Sequence, residues 1–323
     1  MSQNTKKKAN NAPVYNGKIY DFCSKKKMIL IIAIAVVVIT LAGALIRGVN
    51  LAIEFKGGTL ITYQYSGDID TEKAESIVSG IVNEKVKVRS GESLSSDTNE
   101  LTISFTSENG LTADRQTELT DTLQSEFADN NIELYDSNDV SPSTGSEFFF
   151  KSLVAMLFAA VLIIVYIAIR FRKIGGWSAG LCSILALLHD LVVAFAVIVL
   201  FGFEFNSNSV AVILTILGYS INNTIVIYDR IRENKTLMPK AHITELINAG
   251  CSQSLTRSIR TSITTIGTML VITIVILITG FDSLLSFSVP LMFGLISGTY
   301  SSIFVAPVTW SIFKLRKANR SKK

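Results

Sequence analysis

The sequence predicts an α-helical polytopic membrane protein: six transmembrane helices plus one external α+β domain after the first helix. Three observations carry this. The apolar residues fall in six blocks of about 18 residues or more with almost no charge, each long enough to cross a hydrocarbon layer. Lys and Arg collect at alternate ends of these blocks, as short cytoplasmic loops require. The one long segment between blocks, 48–147, is acidic and mixed in composition.

The blocks are 28–46, 152–168, 177–203, 206–228, 262–281 and 284–313, the third interrupted by His189-Asp190. Basic residues precede the first (Lys6, Lys7, Lys8, Lys18, Lys25, Lys26, Lys27), link the second and third (Arg170, Arg172, Lys173) and close the fourth (Arg230, Arg232, Lys235). The tail adds Lys314, Arg316, Lys317, Arg320, Lys322 and Lys323. The loops 203–208 and 280–283 hold no Lys or Arg and one acid each, Glu204 and Asp282. The expected layout is a basic cytoplasmic N-terminus (1–27), a first helix (28–47), an external domain (48–147), a five-helix bundle (148–313) and a basic cytoplasmic tail (314–323). A cleavable signal peptide is the alternative for the first block, and the five spans that follow it argue against that.

Segment 48–147 carries 19 acids against 6 Lys and Arg, a balance of −13, so the rest of the chain stands at +17 and the net +4 conceals the split. The basic pI of about 8.8 therefore reflects topology and predicts no nucleic-acid partner. Of three cysteines, Cys23 and Cys251 fall inside and Cys182 in a helix, so the external domain folds without a disulfide.

Within that domain, residues 50–66 alternate around Gly57-Gly58, as a strand with a bulge or break does. Residues 71–85 form a helical face opened by Asp70 or Thr71 as cap. Short alternating segments at 86–88 and 101–105, a helical pattern at 113–127 and a strand at 132–135 complete βαββαβ, the ferredoxin-like order. It holds no His and no Cys, so it reads as a binding module.

Polar residues interrupt the spans. Thr215, Tyr219, Asn222, Asn223 and Val226 share one face of the fourth; Arg257, Thr261, Thr264, Thr265 and Thr268 share one face of the fifth; His189-Asp190 lies midway along the third. An ionised Asp at a helix centre costs about 2.5–3.5 kcal/mol on insertion scales, so it faces the bundle and finds partners. The three stripes are expected to form one seam, either an ion or proton path or a purely structural clamp. Gly294 and Gly298, extended by Ser301 and Ser302, form a small-xxx-small pair, and Gly218 adds a further close contact. Asp229, Arg230, Arg232 and Glu233 anchor the end of the fourth span at the cytoplasmic surface.

No GxSxG, HExxH, Walker loop or Cys/His metal spacing appears, so the reading is of a non-enzyme without cofactor or metal. A membrane serine protease built on His189 would require a serine nucleophile within reach.

Several stretches together carry a resemblance: IEFKGG (53–58), LLHD (187–190), GYSINNTIVIYDRIREN (218–234), the Gln253…Arg257…Thr261 run and GTYSSIFVAP (298–307). With six spans and one large loop, the chain resembles over nearly its whole length the SecF family of bacterial protein export, within the resistance–nodulation–division superfamily. The resemblance implies a subunit of the bacterial cytoplasmic membrane that acts with SecD and the SecYEG channel, with YajC and YidC as further candidate partners. It implies use of the proton-motive force to draw an unfolded secreted polypeptide outward. Where the family's pattern reads Asn-Asp after GYSI, this chain has Asn222-Asn223, so the carboxylate assigned to proton transfer is missing although its partner is matched by Arg257. Three accounts compete: Asp190 carries the proton, a carboxylate of SecD does, or the chain is not proton-coupled. The second is preferred, because a related six-helix partner would still hold titratable groups. The rival functions are half of a small-molecule or lipid exporter and a passive translocon scaffold.

Overall fold

The computed structural model describes residues 18–92, 99–107, 111–279 and 282–320. In chain order it has α1 (Lys26–Arg47), a short α2 (Ile53–Lys56), β1 (Gly58–Tyr65), α3 (Thr71–Val82), β2 (Val86–Glu92), β3 (Asn99–Phe105), α4 (Ala113–Glu126) and β4 (Glu133–Val140). The bundle continues with α5 (Pro142–Arg170), α6 (Gly176–Leu200), α7 (Ser207–Leu237), α8 (Ile243–Thr279) and α9 (Asp282–Tyr300). A π-helical turn (Ser301–Val305) joins α9 to α10 (Ala306–Arg320) in one continuous span. Residues 280 and 281, the basic Lys6, Lys7 and Lys8, and Lys322 and Lys323 lie outside the described residues.

Among the described residues six helices are long and apolar enough to cross a membrane, and each expected span coincides with one of them, the third running three residues past Leu200, the fourth starting one residue before Ser207 and the fifth ending at 281, outside the described residues. α6, α7 and the α9–α10 span form the buried centre, while α1, α5 and α8 surround them with largely exposed apolar faces. That distribution is inverted for water and suited to lipid, where Leu, Ile and Phe belong on the outside. α7 and α8 run well past the uncharged blocks. Their extensions are polar on one side and bury Ile231, Leu246, Ile247 and Cys251 on the other, which a count of uncharged residues cannot see. Local signals set the starts. Asn206 and Ser209 make a reciprocal capping box for α7, and Ser141 followed by Pro142 opens α5.

The α+β domain has the expected element order, with a sheet ordered β2-β3-β1-β4 and every neighbouring pair antiparallel. α3 and α4 cover it, and Ile61, Tyr63, Leu101, Ile103, Leu119 and Leu123 form its core. Asp70 caps α3 by accepting from the backbone N–H groups of Glu72 (3.0 Å) and Lys73 (3.1 Å).

The first strand departs from expectation. Residues 53–56 are helical, strand geometry begins only at Gly58, and the bulge lies farther on, between Thr62 and Tyr63 opposite β4. The glycine pair makes the junction. Gly57 has φ +87°, and a Cβ on it would stand 2.6 Å from the Pro142 backbone; Gly58 has φ +147°, and its Cβ would stand 2.3 Å from the Phe105 carbonyl oxygen. Only glycine tolerates both the angle and the approach. The junction ties the domain to the bundle. Phe55 packs between Phe148, Phe149 and Phe205, Ala52 N–H donates to the Phe205 carbonyl (3.0 Å), and the Ser207 N–H donates to Glu54 (2.8 Å). Glu204, in the loop between α6 and α7, pairs with Lys87 (2.7 Å) and Arg89 (3.7 Å) of β2.

Gly58→Ala is accordingly expected to destabilise the domain by roughly 2 kcal/mol or more, whereas Gly80→Ala, inside α3 with open space around it, should gain up to about 1 kcal/mol. Limited proteolysis of the membrane-inserted chain reads both. Equal cleavage of the two variants would refute this account of the glycine pair.

Candidate functional site

The centre of the bundle is a carboxylate with no solvent exposure. Asp190, midway along α6, accepts hydrogen bonds from three serine hydroxyls: Ser220 of α7 at 2.7 Å, Ser297 of α9 at 2.7 Å and Ser301 of the π turn at 2.6 Å. The neighbouring ring of His189 brings its Nδ1 to 3.3 Å from the carboxylate and from the Ser297 hydroxyl. Ser302 ties the second layer by donating to the Ser220 carbonyl (2.9 Å). A carboxylate is acceptor-only when ionised, and three O–H donors from two neighbouring helices are what burial in hydrocarbon demands of it. The small residues permit the approach. A Cβ on Gly294 would overlap Ile216, and one on Gly298 would stand 3.2 Å from Ser220 Cβ and 3.6 Å from the Asp190 carboxylate.

Ser297, His189 and Asp190 do not form a hydrolytic triad. Serine and aspartate meet the same ring nitrogen, Nδ1, while the buried Nε2 has no hydrogen-bond partner among the described residues. A triad places them on opposite nitrogens.

The other expected site residues form a second group. Tyr219 of α7 donates to Ser262 of α8 (2.9 Å), which Thr299 also reaches (2.8 Å), and one level further along Arg230 and Asn234 share Gln253 (2.6 and 2.9 Å). Asn222, Asn223 and Arg257 lie between these two crossings. Asn223 turns inward and is buried, with no partner for its Nδ2; Asn222 and Arg257 turn out to the surface of the chain. Thr261, Thr264, Thr265 and Thr268 do not answer the asparagines. Thr264, Thr265 and Thr268 donate to carbonyls of their own helix, and Thr261, Thr264 and Thr268 are exposed. Gly218 has open space around it and makes no close helix contact within the chain. The single seam expected from three stripes is therefore two groups: an inner serine cage around Asp190, and an outward polar face on α7 and α8.

At the basic end, Asp229 pairs with Arg170 at the end of α5 (3.0 Å) and with Arg232 (2.9 Å), and Arg230 pairs with Glu233 (2.5 Å), so of the four anchoring residues Asp229 joins α7 to α5 and the others pair along α7. Of the cage, sequence reasoning had Asp190 and His189 as site residues and Ser301 only as part of a small-residue packing face, and it assigned no role to Ser220 or Ser297. The signal was present: Ser297 and Ser301 are four apart and flank Gly298, which puts both hydroxyls on the small face of α9.

Comparison with known proteins gives this geometry a family. The model described as "Protein export membrane protein SecD/SecF, C-terminal" matches residues 120–316, and the "SecD/SecF GG Motif" model matches residues 44–69, which contain Gly57-Gly58. The chain belongs to the SecD/SecF family. Protein translocase subunit SecF of Rickettsia typhi is 33% identical over 301 residues, covering 93% of this chain and 94% of the relative. The SecF subunit of Calditerrivibrio nitroreducens is 34% identical over 312 residues, covering 94% and 97%. Among solved structures, SecDF of Thermus thermophilus is similar with a TM-score of 0.76 at 27% identity, and SecDF in a super-membrane-facing form with 0.67 at 27%. The chain spans about 40% of the length of those SecDF chains. It is a multi-pass membrane protein with an accessory role in the Sec translocase.

In this SecD/SecF family member, Ser220→Ala, Ser297→Ala and Ser301→Ala should each lower stability by about 1.5–3 kcal/mol, the scale of a hydrogen bond to a charged group. Their effects should not add, because they share one acceptor. Thermal unfolding in detergent tests this, with Thr264→Ala on the outward face as the near-neutral control.

Proposed function

We propose that the chain is one half of a paired export accessory unit that draws on the proton-motive force, and that the titrating carboxylate answering Arg257 belongs to the SecD partner. The observation that supports this is an outward polar face that runs from the cytoplasmic edge of the fifth span into it: Asn222, Arg257, Thr261, Thr264 and Thr268 are exposed on adjacent helices. Charged and amide side chains do not face hydrocarbon without partners. A second membrane subunit bearing a carboxylate supplies one, and it restores the pair that Asn223 lacks.

In this reading both termini are cytoplasmic and the α+β domain is external, as the Lys and Arg distribution supports. The unit works beside the SecYEG channel, YajC and YidC being further candidate partners, and the domain engages the unfolded polypeptide as it emerges. One charge crossing 100 mV supplies about 2.3 kcal/mol, enough to shift a two-state domain position severalfold to tens of fold. Asp190 serves as the structural clamp that carries a change at the outward face through α6, α7 and α9.

Inverted vesicles containing this chain, SecD and the translocase test the reading through export of a reporter with and without an imposed proton gradient. Arg257→Gln should remove the gradient-dependent part of the rate, and Asn223→Asp should change its pH dependence. Asp190→Asn should lower the amount of folded protein but keep the gradient dependence of what remains. Should Asp190→Asn abolish coupling while Arg257→Gln and Asn223→Asp leave it intact, the proton belongs to Asp190 and the proposal fails.

A further inference from the structure

At the basic end of the bundle two cavities meet. The first, about 550 Å³, opens between the α5–α6 turn, the α7–α8 turn and α10, and its rim carries Lys173, Lys235, Lys240 and Lys314 around a floor that includes Ile231 and Trp310. The second, about 430 Å³, runs along the flank of the bundle between Ala168, Trp177, Leu181 and Phe313, with Arg172 and Lys317 at its head. Gly175 and Lys314 line both, so the two adjoin there as a bent groove with a cationic limb and an apolar limb.

The groove is built rather than incidental. Trp310 is fully buried, donates its indole N–H to Ser178 (3.0 Å) and lies 5.6 Å beneath the Lys314 ammonium. Gly175, at φ +98°, leaves room for that ammonium, since a Cβ there would stand 2.2 Å from Lys314 Nζ. Among the described residues no acid lines either cavity, and nearby acids are committed: Asp229 to Arg170 and Arg232, Glu233 to Arg230, and Glu245 to the His242 backbone N–H. Residues 1–17 and 321–323 contain no Asp or Glu that could neutralise the cluster. On the apolar limb Trp177, Leu181 and Phe313 are 73%, 54% and 43% exposed, which in a membrane-spanning chain is exposure to lipid tails.

We infer that this groove is a binding site for an anionic phospholipid, its phosphate among Lys173, Lys235 and Lys314 and its acyl chains along Trp177, Leu181 and Phe313. Gathered cations next to a span attract anionic headgroups, and a free phosphate would use only the cationic limb. The lipid would fasten α5, α6 and α10 to the α7–α8 turn, at the end of the bundle opposite the α+β domain.

The only tryptophans in the chain, Trp177 and Trp310, both line the groove, so intrinsic fluorescence reports on it directly. The full chain is reconstituted in phosphatidylcholine vesicles containing a minor fraction of either brominated phosphatidylglycerol or brominated phosphatidylcholine. Brominated phosphatidylglycerol should quench as though enriched at the site by roughly fivefold or more over its bulk fraction. The triple variant Lys173→Gln, Lys235→Gln, Lys314→Gln should lose that preference, and Lys25→Gln, Lys26→Gln, Lys27→Gln should keep it. In the unmodified chain, high salt should weaken it, a check that does not depend on any variant folding. Equal quenching by the two lipids, or a preference that survives the first triple variant, overturns the site. Full displacement of the lipid by soluble glycerol phosphate would mean that the cationic limb takes phosphate alone, and would overturn the lipid assignment.

Discussion

A carboxylate with no access to water must be answered by protein donors, and the centre of this bundle is organised by that requirement. Asp190 draws Ser220, Ser297 and Ser301 to within 2.6–2.7 Å, which brings α7 and α9 up against α6. The approach is possible only because Gly294 and Gly298 present no side chain to Ile216 and Ser220. The π turn at Ser301–Val305 belongs to the same constraint, since its first two residues supply one donor to Asp190 and one to the Ser220 carbonyl. Extra residues in a helical turn re-aim side chains, and here they are re-aimed at a charge.

The second constraint is the link between the bundle and the α+β domain. β1 begins within two residues of α2, and α2 is held by Phe205, Phe148 and Phe149 of the bundle through Phe55. The glycine pair lets the backbone turn from helix to strand against the start of α5, so the sheet is seated on the bundle and not hung from a slack linker. Glu204 strengthens the seat by holding Lys87 and Arg89 of the sheet. A side-chain change in the membrane can reach the domain by this route through α5, which carries Phe148 and Phe149, and through the α6–α7 loop, which carries Phe205 and Glu204.

Much of this was legible in the sequence because the signals were local. Uncharged length marked six spans, period-two and period-3.6 patterns marked the α+β elements, and Asp70 marked a cap. The glycine pair was legible as an interruption but not as a helix-to-strand junction, because the backbones that approach it, at Pro142 and Phe105, are distant in sequence. The site was half legible. Periodicity placed Arg257 and the threonines on one face of α8, yet period alone does not say whether a face turns inward or outward. The threonines satisfied themselves on their own carbonyls, so they carried no inward preference that could be read in advance. The serine cage depended on contacts between residues up to 111 positions apart.

The two asparagines of the fourth span separate these effects most clearly. They are adjacent, so one helical step of about 100° divides them: Asn223 enters the bundle and Asn222 leaves it. Within this chain neither is answered by Arg257. The same is true of the outward threonines and of Gly218, which keeps open space beside it. An isolated chain would thus present one amide, hydroxyls and a guanidinium along one flank while its inner carboxylate is fully served. The bundle is complete around Asp190 and incomplete around Arg257, and that asymmetry is the form one half of a two-subunit membrane assembly takes.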